Sequence, residues 1–407
     1  MIRVKPLITL VCAAEIAGMA AYAGFVAQLP LLSAAWDLTA SHAGWVSGAF
    51  YAGYGLAVPI LVTRTDRTDP LRVYLPSMLA TAAGALGFAL LADGFWSALL
   101  FQVIMGAGLA GTYMPGLRLL TDRLDGAAQS RAVALYTSSY AIGTGFSFAM
   151  IGVLSTWLGW RWAFGLAAIG PVTAAITVAM VFRGQARRRT AAPQDPGRQQ
   201  FGAVLRDRAV MARAVAYGAH NFELFGLWSW AVAFLTFAYA LRPGDPLQIE
   251  PTLVAAVLTL LLLPASVGGN ELALRIGRRR WIVSVMIGSA ALAPVVGFAA
   301  GEVVSAALIA LCLVYGVAVA AESGALTSSV VATGATRQRG AIMAVYSMVG
   351  FAGAFAGPLV FGWVLGGVGA GTGAGWGAAF AAMGLGALVG PAVLLLVDRR
   401  GGDRPRS

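Results

Sequence analysis

The sequence predicts an all-α membrane protein: twelve transmembrane helices arranged as two parallel-repeat six-helix bundles. Three observations carry that prediction. Of the 407 residues, 59% are hydrophobic and 11% charged, against roughly 45–50% and about 25% in a soluble chain. The apolar residues gather into twelve runs, each near the ~20 residues that a bilayer crossing needs. The two halves of the chain also repeat one another at a nearly constant offset. One water-soluble core of this length cannot bury so much apolar surface. A soluble globular protein, a disordered chain and a secreted disulfide scaffold are therefore excluded. The two cysteines, Cys12 and Cys312, lie inside apolar runs and offer neither a disulfide framework nor metal spacing.

The first run, 8–31, follows a short basic start with Arg3 and Lys5. It exceeds the ~7–15-residue apolar region of a signal peptide and reads as a retained first helix. Runs at 43–62, 73–93, 96–117, 132–157 and 162–182 complete the first half. Residues 184–212 hold Pro193, Pro196 and the arginines 187–189, with few aromatics, and read as a cytoplasmic linker. Runs at 213–240, 251–273, 281–300, 303–333, 341–366 and 376–397 form the second half. The expected organisation is a six-helix bundle over 1–183, the linker 184–212, a second bundle over 213–398 and a cytoplasmic tail, 399–407. The alternating pattern of a barrel strand is absent, so each run must close its hydrogen bonds as a helix.

The net charge of +11 would suit a nucleic-acid binder, but its placement argues otherwise. Threading the chain through twelve spans puts 26 of the 28 Lys and Arg on one side, leaving only Arg161 and Arg242 on the other. The positive-inside rule makes the rich side cytoplasmic, with both termini inside. Topology thus accounts for the charge without nucleic acid. The basic loops should lie against anionic headgroups of a cytoplasmic, inner membrane.

At an offset of 208 residues Glu15 meets Glu223 and Gly18 meets Gly226. At 210, Gly106 meets Gly316, Tyr136 meets Tyr346, Gly143 meets Gly353 and Gly152 meets Gly362. Six spans per half is an even number, so the copies run in the same direction, as parallel repeats do.

The loop after the second run reads Val62-Thr-Arg-Thr-Asp66-Arg67-Thr-Asp69, and the loop after the eighth reads Asn270-Glu-Leu-Ala-Leu274-Arg275-Ile-Gly277-Arg278-Arg279. Both are similar to the Gly-x-x-x-Asp-Arg-x-Gly-Arg-Arg loop of the major facilitator superfamily, which the chain resembles over essentially its full length. Asp66 and Arg67 match in the first copy, where Val62 and Asp69 replace the glycines. Arg275, Gly277, Arg278 and Arg279 match in the second, where Leu274 replaces the acid. The resemblance implies a cytoplasmic latch of Asp66, Arg67, Arg275, Gly277 and Arg278, formed in the outward-open state and broken in the inward-open one. The alternative is that these arginines only enforce topology. Two departures narrow the expectation. Gln102 stands where many proton-coupled members carry Arg in helix 4. Helix 5 holds Gly143, Gly145 and Gly152 without the proline of drug antiporters, although Gly357-Pro358 occurs in helix 11.

Charged groups inside a bilayer are costly and normally face a cavity or a partner. Glu15, Glu223 and Glu322 are such groups, and the resemblance places them on cavity-lining helices 1, 7 and 10. Glu15 and Glu223 are repeat partners, whereas Glu322 has Thr112 as its counterpart. His220 precedes Glu223 by three residues, so the two share a helix face and His220 could donate or relay protons to it. Tyr22, Tyr113 and Trp230 could wall a ligand. The structural alternative holds for each: a Glu satisfied between helices, an aromatic that only packs. Arg118 could pair with Asp122.

The resulting expectation is a secondary active transporter that moves a small molecule by alternating access. The ion gradient, H+, works through the intramembrane carboxylates. No nucleotide-binding loop, catalytic set, cofactor site or metal set is present, and an enzyme is not expected. Monomeric function is the family expectation. Rival readings are a transporter-fold sensor or scaffold without transport and, within the class, a facilitator without proton coupling or an organic-anion uptake system.

Overall fold

With no water to satisfy it, backbone inside a bilayer closes on itself, and the computed structural model is built of helices along its apolar runs. Residues 4–183, 198–331 and 339–401 are described. The linker segment 184–197, the tail beyond 401 and the side chain of Asp66 lie outside the described residues. Among the described residues eleven helices are long and apolar enough to span a membrane. The first apolar run is different. It is three short helices in succession, α1 (Val4–Gly18), α2 (Gly24–Ala27) and α3 (Leu29–Ala35).

Contacts divide the chain into two units. The first comprises Met1–Leu38, Ala49–Gln194 and Glu250–Leu260. Its helices after α3 are α4 (Ala40–Arg67, from Ala49 onward), α5 (Pro70–Leu91), α6 (Phe95–Ala110), α7 (Tyr113–Thr121), α8 (Gly126–Leu158), α9 (Trp160–Ala167) and α10 (Ile169–Phe182). Helix α1 packs on α8 and α10, and α5 packs on α6. Their core runs through Val11, Tyr74, Met78, Leu119, Tyr136 and Val178.

The second unit comprises Thr39–Gly48, Asp195–Ile249 and Leu261–Ser407. It holds α11 (Arg198–Arg206), α12 (Arg208–Leu241), most of α13 (Pro251–Ile276), α14 (Arg278–Phe298), α15 (Ser305–Ala320), α16 (Ser323–Val331), α17 (Arg339–Val368), α18 (Gly373–Ala387) and α19 (Val389–Gly401). Helix α12 lies along α17, and α14 along α18. The α12–α17 crossing is close because Gly353 sits directly on the backbone of Gly218, where any side chain would collide with the Gly218 carbonyl.

Two span breaks position the site. The fourth span stops at Ala110 and resumes at Tyr113; the tenth stops at Ala320 and resumes at Ser323. The breaks fall at Thr112 and Glu322, which the repeat offset of 210 makes equivalent. Carbonyls freed at a break need new donors. Trp281 Nε1 donates to the Ala321 carbonyl at 3.1 Å, and the Thr112 hydroxyl donates to the Leu109 carbonyl at 2.7 Å. Large apolar side chains such as Leu56, Leu90 and Met180 are exposed, as suits a surface solvated by lipid. Trp96, Trp157 and Trp162 are also exposed, at span ends, where indole rings anchor at the headgroup level.

The two arginines that break the charge rule have matching roles. Arg161 donates to the carbonyls of Ala89 and Ala92 at 2.8 and 3.1 Å, at the C-terminal end of α5. Arg242 donates to the Gly301 carbonyl at 3.2 Å, just beyond the end of α14. Each caps the negative end of the third span of its half.

Candidate functional site

In the first unit Glu15 is 1% exposed. The Tyr136 hydroxyl donates to its Oε2 at 2.7 Å, and Oε1 has no partner among the described residues. The Tyr74 hydroxyl is buried in the same cluster, also without a partner among those residues. From Tyr136 a row of aromatics leads away. Tyr113 stacks on Tyr136 with ring centres 5.6 Å apart. Tyr140 meets Tyr113 edge-on at 5.6 Å and Tyr22 at 6.1 Å. The hydroxyls of Tyr22 and Tyr51 lie 3.4 Å apart. Tyr22, Tyr113 and Tyr140 are half-buried while Glu15 and Tyr136 are buried. The row therefore connects an enclosed carboxyl with half-buried tyrosines. Glu15, Tyr22 and Tyr113, singled out from the sequence, are brought together by Tyr136, Tyr140 and Tyr51, which were not.

In the second unit Glu223 is fully buried. Ser289 donates to its Oε2 and Tyr315 to its Oε1, both at 2.9 Å. Glu322 is equally buried and lies in the break of the tenth span. Its Oε1 is 2.9 Å from His220 Nδ1. Its Oε2 has no partner among the described residues. His220 thus serves Glu322, on another helix, and not Glu223 three residues along its own. Behind the imidazole Tyr217 stacks at 6.0 Å, and Tyr346 stacks on Tyr217 at 3.9 Å. The Tyr346 hydroxyl is 3.3 Å from the hydroxyl of Thr327. The only basic side chain bonded to these carboxylates among the described residues is His220. The arrangement can hold a proton on a carboxyl or pass it between Glu322 and the imidazole.

Trp230 is built into the packing. Its indole donates to the Pro358 carbonyl at 3.0 Å, and its ring stacks on Phe361 at 5.1 Å. Thr112 is buried and directs its hydroxyl into its own helix. Arg118 donates to the Thr65 hydroxyl at 2.7 Å. The two signature loops differ physically. In the first, Asp69 accepts from the Leu71 N–H at 3.0 Å and Pro70 follows, a capped helix start. In the second, Gly277 alone joins α13 to α14 with φ +97°, a conformation that favours glycine. Arg67 and Arg275 are exposed and Arg278 is half-buried.

No group of three or more metal-binding side chains occurs among the described residues.

A family model described as Major Facilitator Superfamily matches residues 10–358. A stretch of 133 residues is 25% identical to the probable sphingolipid transporter spinster homolog 1 of Arabidopsis thaliana. That stretch is 33% of this chain and spans 27% of the relative's length. Among solved structures, the fold is similar to an inward-facing, unoccupied bacterial homologue of the human lysosomal transporter Spinster. The TM-score is 0.80 and the identity 17%, over 99% of this chain and 98% of that one. It is also similar to the nucleoside transporter NupG, with a TM-score of 0.74 and 14% identity over 96% and 99% of the two chains. These relatives are transporters and not enzymes. The family match, with eleven described spans, identifies the chain as a multi-pass membrane protein that belongs to the Major Facilitator Superfamily of secondary transporters.

Proposed function

We propose that the chain moves a small molecule across the cytoplasmic membrane by alternating access, coupled to protons through Glu322 with His220 and through Glu15 with Tyr136. Its bundles are 1–183 and 213–398, both termini are cytoplasmic, and it works as a monomer. The observation that carries the reading is the His220–Glu322 pair. It is fully buried at 2.9 Å, at a helix break, with one carboxyl oxygen lacking a partner among the described residues. Packing alone would favour an apolar side chain there. Buried ionisable groups facing a specific partner mark working sites more often than structural ones. The loops holding Asp66, Arg67, Arg275, Gly277 and Arg278 latch one of the alternating states.

The likeness to the probable sphingolipid transporter favours an amphipathic, lipid-like cargo over a small polar one. A thermal-stability screen of purified protein would pit sphingoid bases and lysophospholipids against nucleosides. Flux of the best stabiliser into proteoliposomes under an imposed pH gradient then tests coupling. Wild type is expected to concentrate the cargo, and Glu322→Gln to lose at least about 10-fold of the gradient-driven rate. Equal flux with and without the gradient, together with normal flux in Glu322→Gln, would overturn proton coupling.

A further inference from the structure

The second unit contains a cavity of about 290 Å³ that none of the intramembrane carboxylates line, although Arg278 of the latch loop does. Arg213, Arg278 and Arg279 supply its cationic wall; Ile282, Leu326 and Leu394 supply apolar wall. Among the described residues no carboxylate lines it. Arg278 Nε is buried and has no hydrogen-bond partner among the described residues. Arg213 spends one guanidinium N–H on the Ala209 carbonyl at 2.8 Å, which anchors that side chain beside the opening.

The position of the lining matters as much as its charge. Ala209, Ala212 and Arg213 occupy the first two turns of the span Arg208–Leu241. Arg278, Arg279 and Ile282 occupy the first two turns of the span Arg278–Phe298. Leu326 and Ser329 end the span Ser305–Val330, and Leu394 and Val397 end the span Gly373–Val397. Four span ends therefore meet at one level, on the arginine-rich side of the membrane. Two are helix starts, whose unpaired N–H groups add positive potential. That is the depth at which lipid phosphates lie, and basic pockets between span ends are where anionic headgroups dock.

We propose that this cavity binds one anionic phospholipid of the surrounding leaflet. The phosphate sits between Arg213, Arg278 and Arg279, and the start of an acyl chain lies along Ile282, Leu326 and Leu394. Free phosphate shares the headgroup chemistry but not the chain. The apolar floor, part of the buried cluster around Ile282 and Leu326, selects the lipid. The site is separate from Glu15, Glu223 and Glu322 and stands whatever the cargo is.

Native mass spectrometry of delipidated full-length protein tests it, with phosphatidylglycerol, phosphatidylcholine or inorganic phosphate added. Wild type is expected to retain one tight phosphatidylglycerol, preferred over phosphatidylcholine, that millimolar inorganic phosphate does not displace. Each arginine near a headgroup contributes about 5-fold in affinity. Arg279→Gln, at an exposed position that folding tolerates, should weaken binding about 5-fold, and Arg213→Gln/Arg278→Gln/Arg279→Gln beyond 50-fold. Arg131→Gln, a control of equal charge change, should bind as wild type. Equal binding of phosphatidylcholine, unchanged binding in Arg279→Gln, or displacement by inorganic phosphate would each overturn the assignment.

Discussion

Glu15 and Glu223 occupy the same place in the two copies of the repeat, yet they are held differently. Glu15 has one donor, Tyr136, and an oxygen with no partner among the described residues. Glu223 has a donor on each oxygen, Ser289 and Tyr315. The repeat kept the carboxyl while its surroundings diverged. Tyr136 in one half bonds the glutamate, whereas its equivalent Tyr346 stacks on Tyr217 beside the His220–Glu322 pair. A saturated carboxylate is a structural pin. One with an oxygen lacking a described partner is a group that can change state. In the second unit that description fits Glu322, which replaces the equivalent Thr112. The halves thus place comparable chemistry at unequal positions, Glu15 in one and Glu322 in the other.

The largest expected effect comes from the breaks that hold Thr112 and Glu322. A Cβ at Gly269 would run into the Ala321 carbonyl, which is backbone and cannot swing away. A Cβ at Gly111 would first meet the Ser77 hydroxyl, which can rotate, and then lie 2.8 Å from Ser77 Cβ. Gly269→Ala should therefore cost about 3 kcal/mol or more and Gly111→Ala about 1–2 kcal/mol. Thermal unfolding in detergent, read with the folded yield, compares them. Equal losses would mean that the two breaks are equally compliant, and the contrast between the halves would fail there.

The next effect addresses the glutamates themselves. Glu15→Ala and Glu223→Ala remove the same side chain, so their cavity terms are comparable. Glu223→Ala removes two hydrogen bonds and Glu15→Ala one, although Ser289 keeps the Met286 carbonyl as an acceptor at 3.1 Å. The net contribution of one hydrogen bond is about 0.5–1.5 kcal/mol. Glu223→Ala should be the more destabilising by about that amount in denaturation of the purified variants. The order should reverse for gradient-driven flux, where Glu15→Ala is the more damaging. If Glu223→Ala were the milder change in stability, partner number would not be what separates the two positions.

Much of this architecture is legible in the sequence, and the exceptions have physical reasons. Among the described residues eleven of the twelve apolar runs correspond to long helical spans, because the bilayer leaves no other way to close the backbone. The first run stays apolar through 18–24, yet its helix stops at Gly18 and restarts at Gly24. Hydropathy cannot see such a stop, since apolar residues serve equally in a turn buried by protein. The same holds at Thr112 and Glu322, although Gly111 and Gly324 stand beside the two breaks. The candidate acids were found because a charge in an apolar run is conspicuous. Their partners were not, since Tyr136, Tyr315 and Ser289 lie 121, 92 and 66 residues away along the chain. Helical spacing pointed His220 at Glu223, but a residue 102 positions away claimed it. Trp230 carried no signal that its indole would be consumed by the Pro358 carbonyl.

The smallest expected effect concerns Arg242, one of the two arginines off the basic side. Arg161 caps α5 on its own, with its guanidinium 4.4 Å over the Trp160 ring. Arg242 shares its work with Asp245, to which it donates at 3.2 Å. Asp245 also accepts from the Ser305 N–H and hydroxyl at 2.6 and 3.0 Å, which fixes the start of α15 to this loop. The Ser305 N–H holds the Asp245 carboxyl below its usual range; desolvation opposes it, and the Ser305 hydroxyl and Arg242 add to the lowering. A carboxylate whose folded value is depressed adds stability above its unfolded value, about 3.9, and loses it as the pH falls through the folded one. Asp245→Asn should therefore melt slightly below wild type by a constant gap from pH 7 to about 5, and that gap should close as the pH drops beneath about 4. Among the described residues Arg161 has no carboxylate in its cap, so Arg161→Met should show a gap that does not change with pH. The measurement is a melting curve of each protein at matched ionic strength across that range. A gap for Asp245→Asn that persists unchanged into acid would mean that its charge contributes nothing and that the loop is held by the Ser305 hydrogen bonds alone.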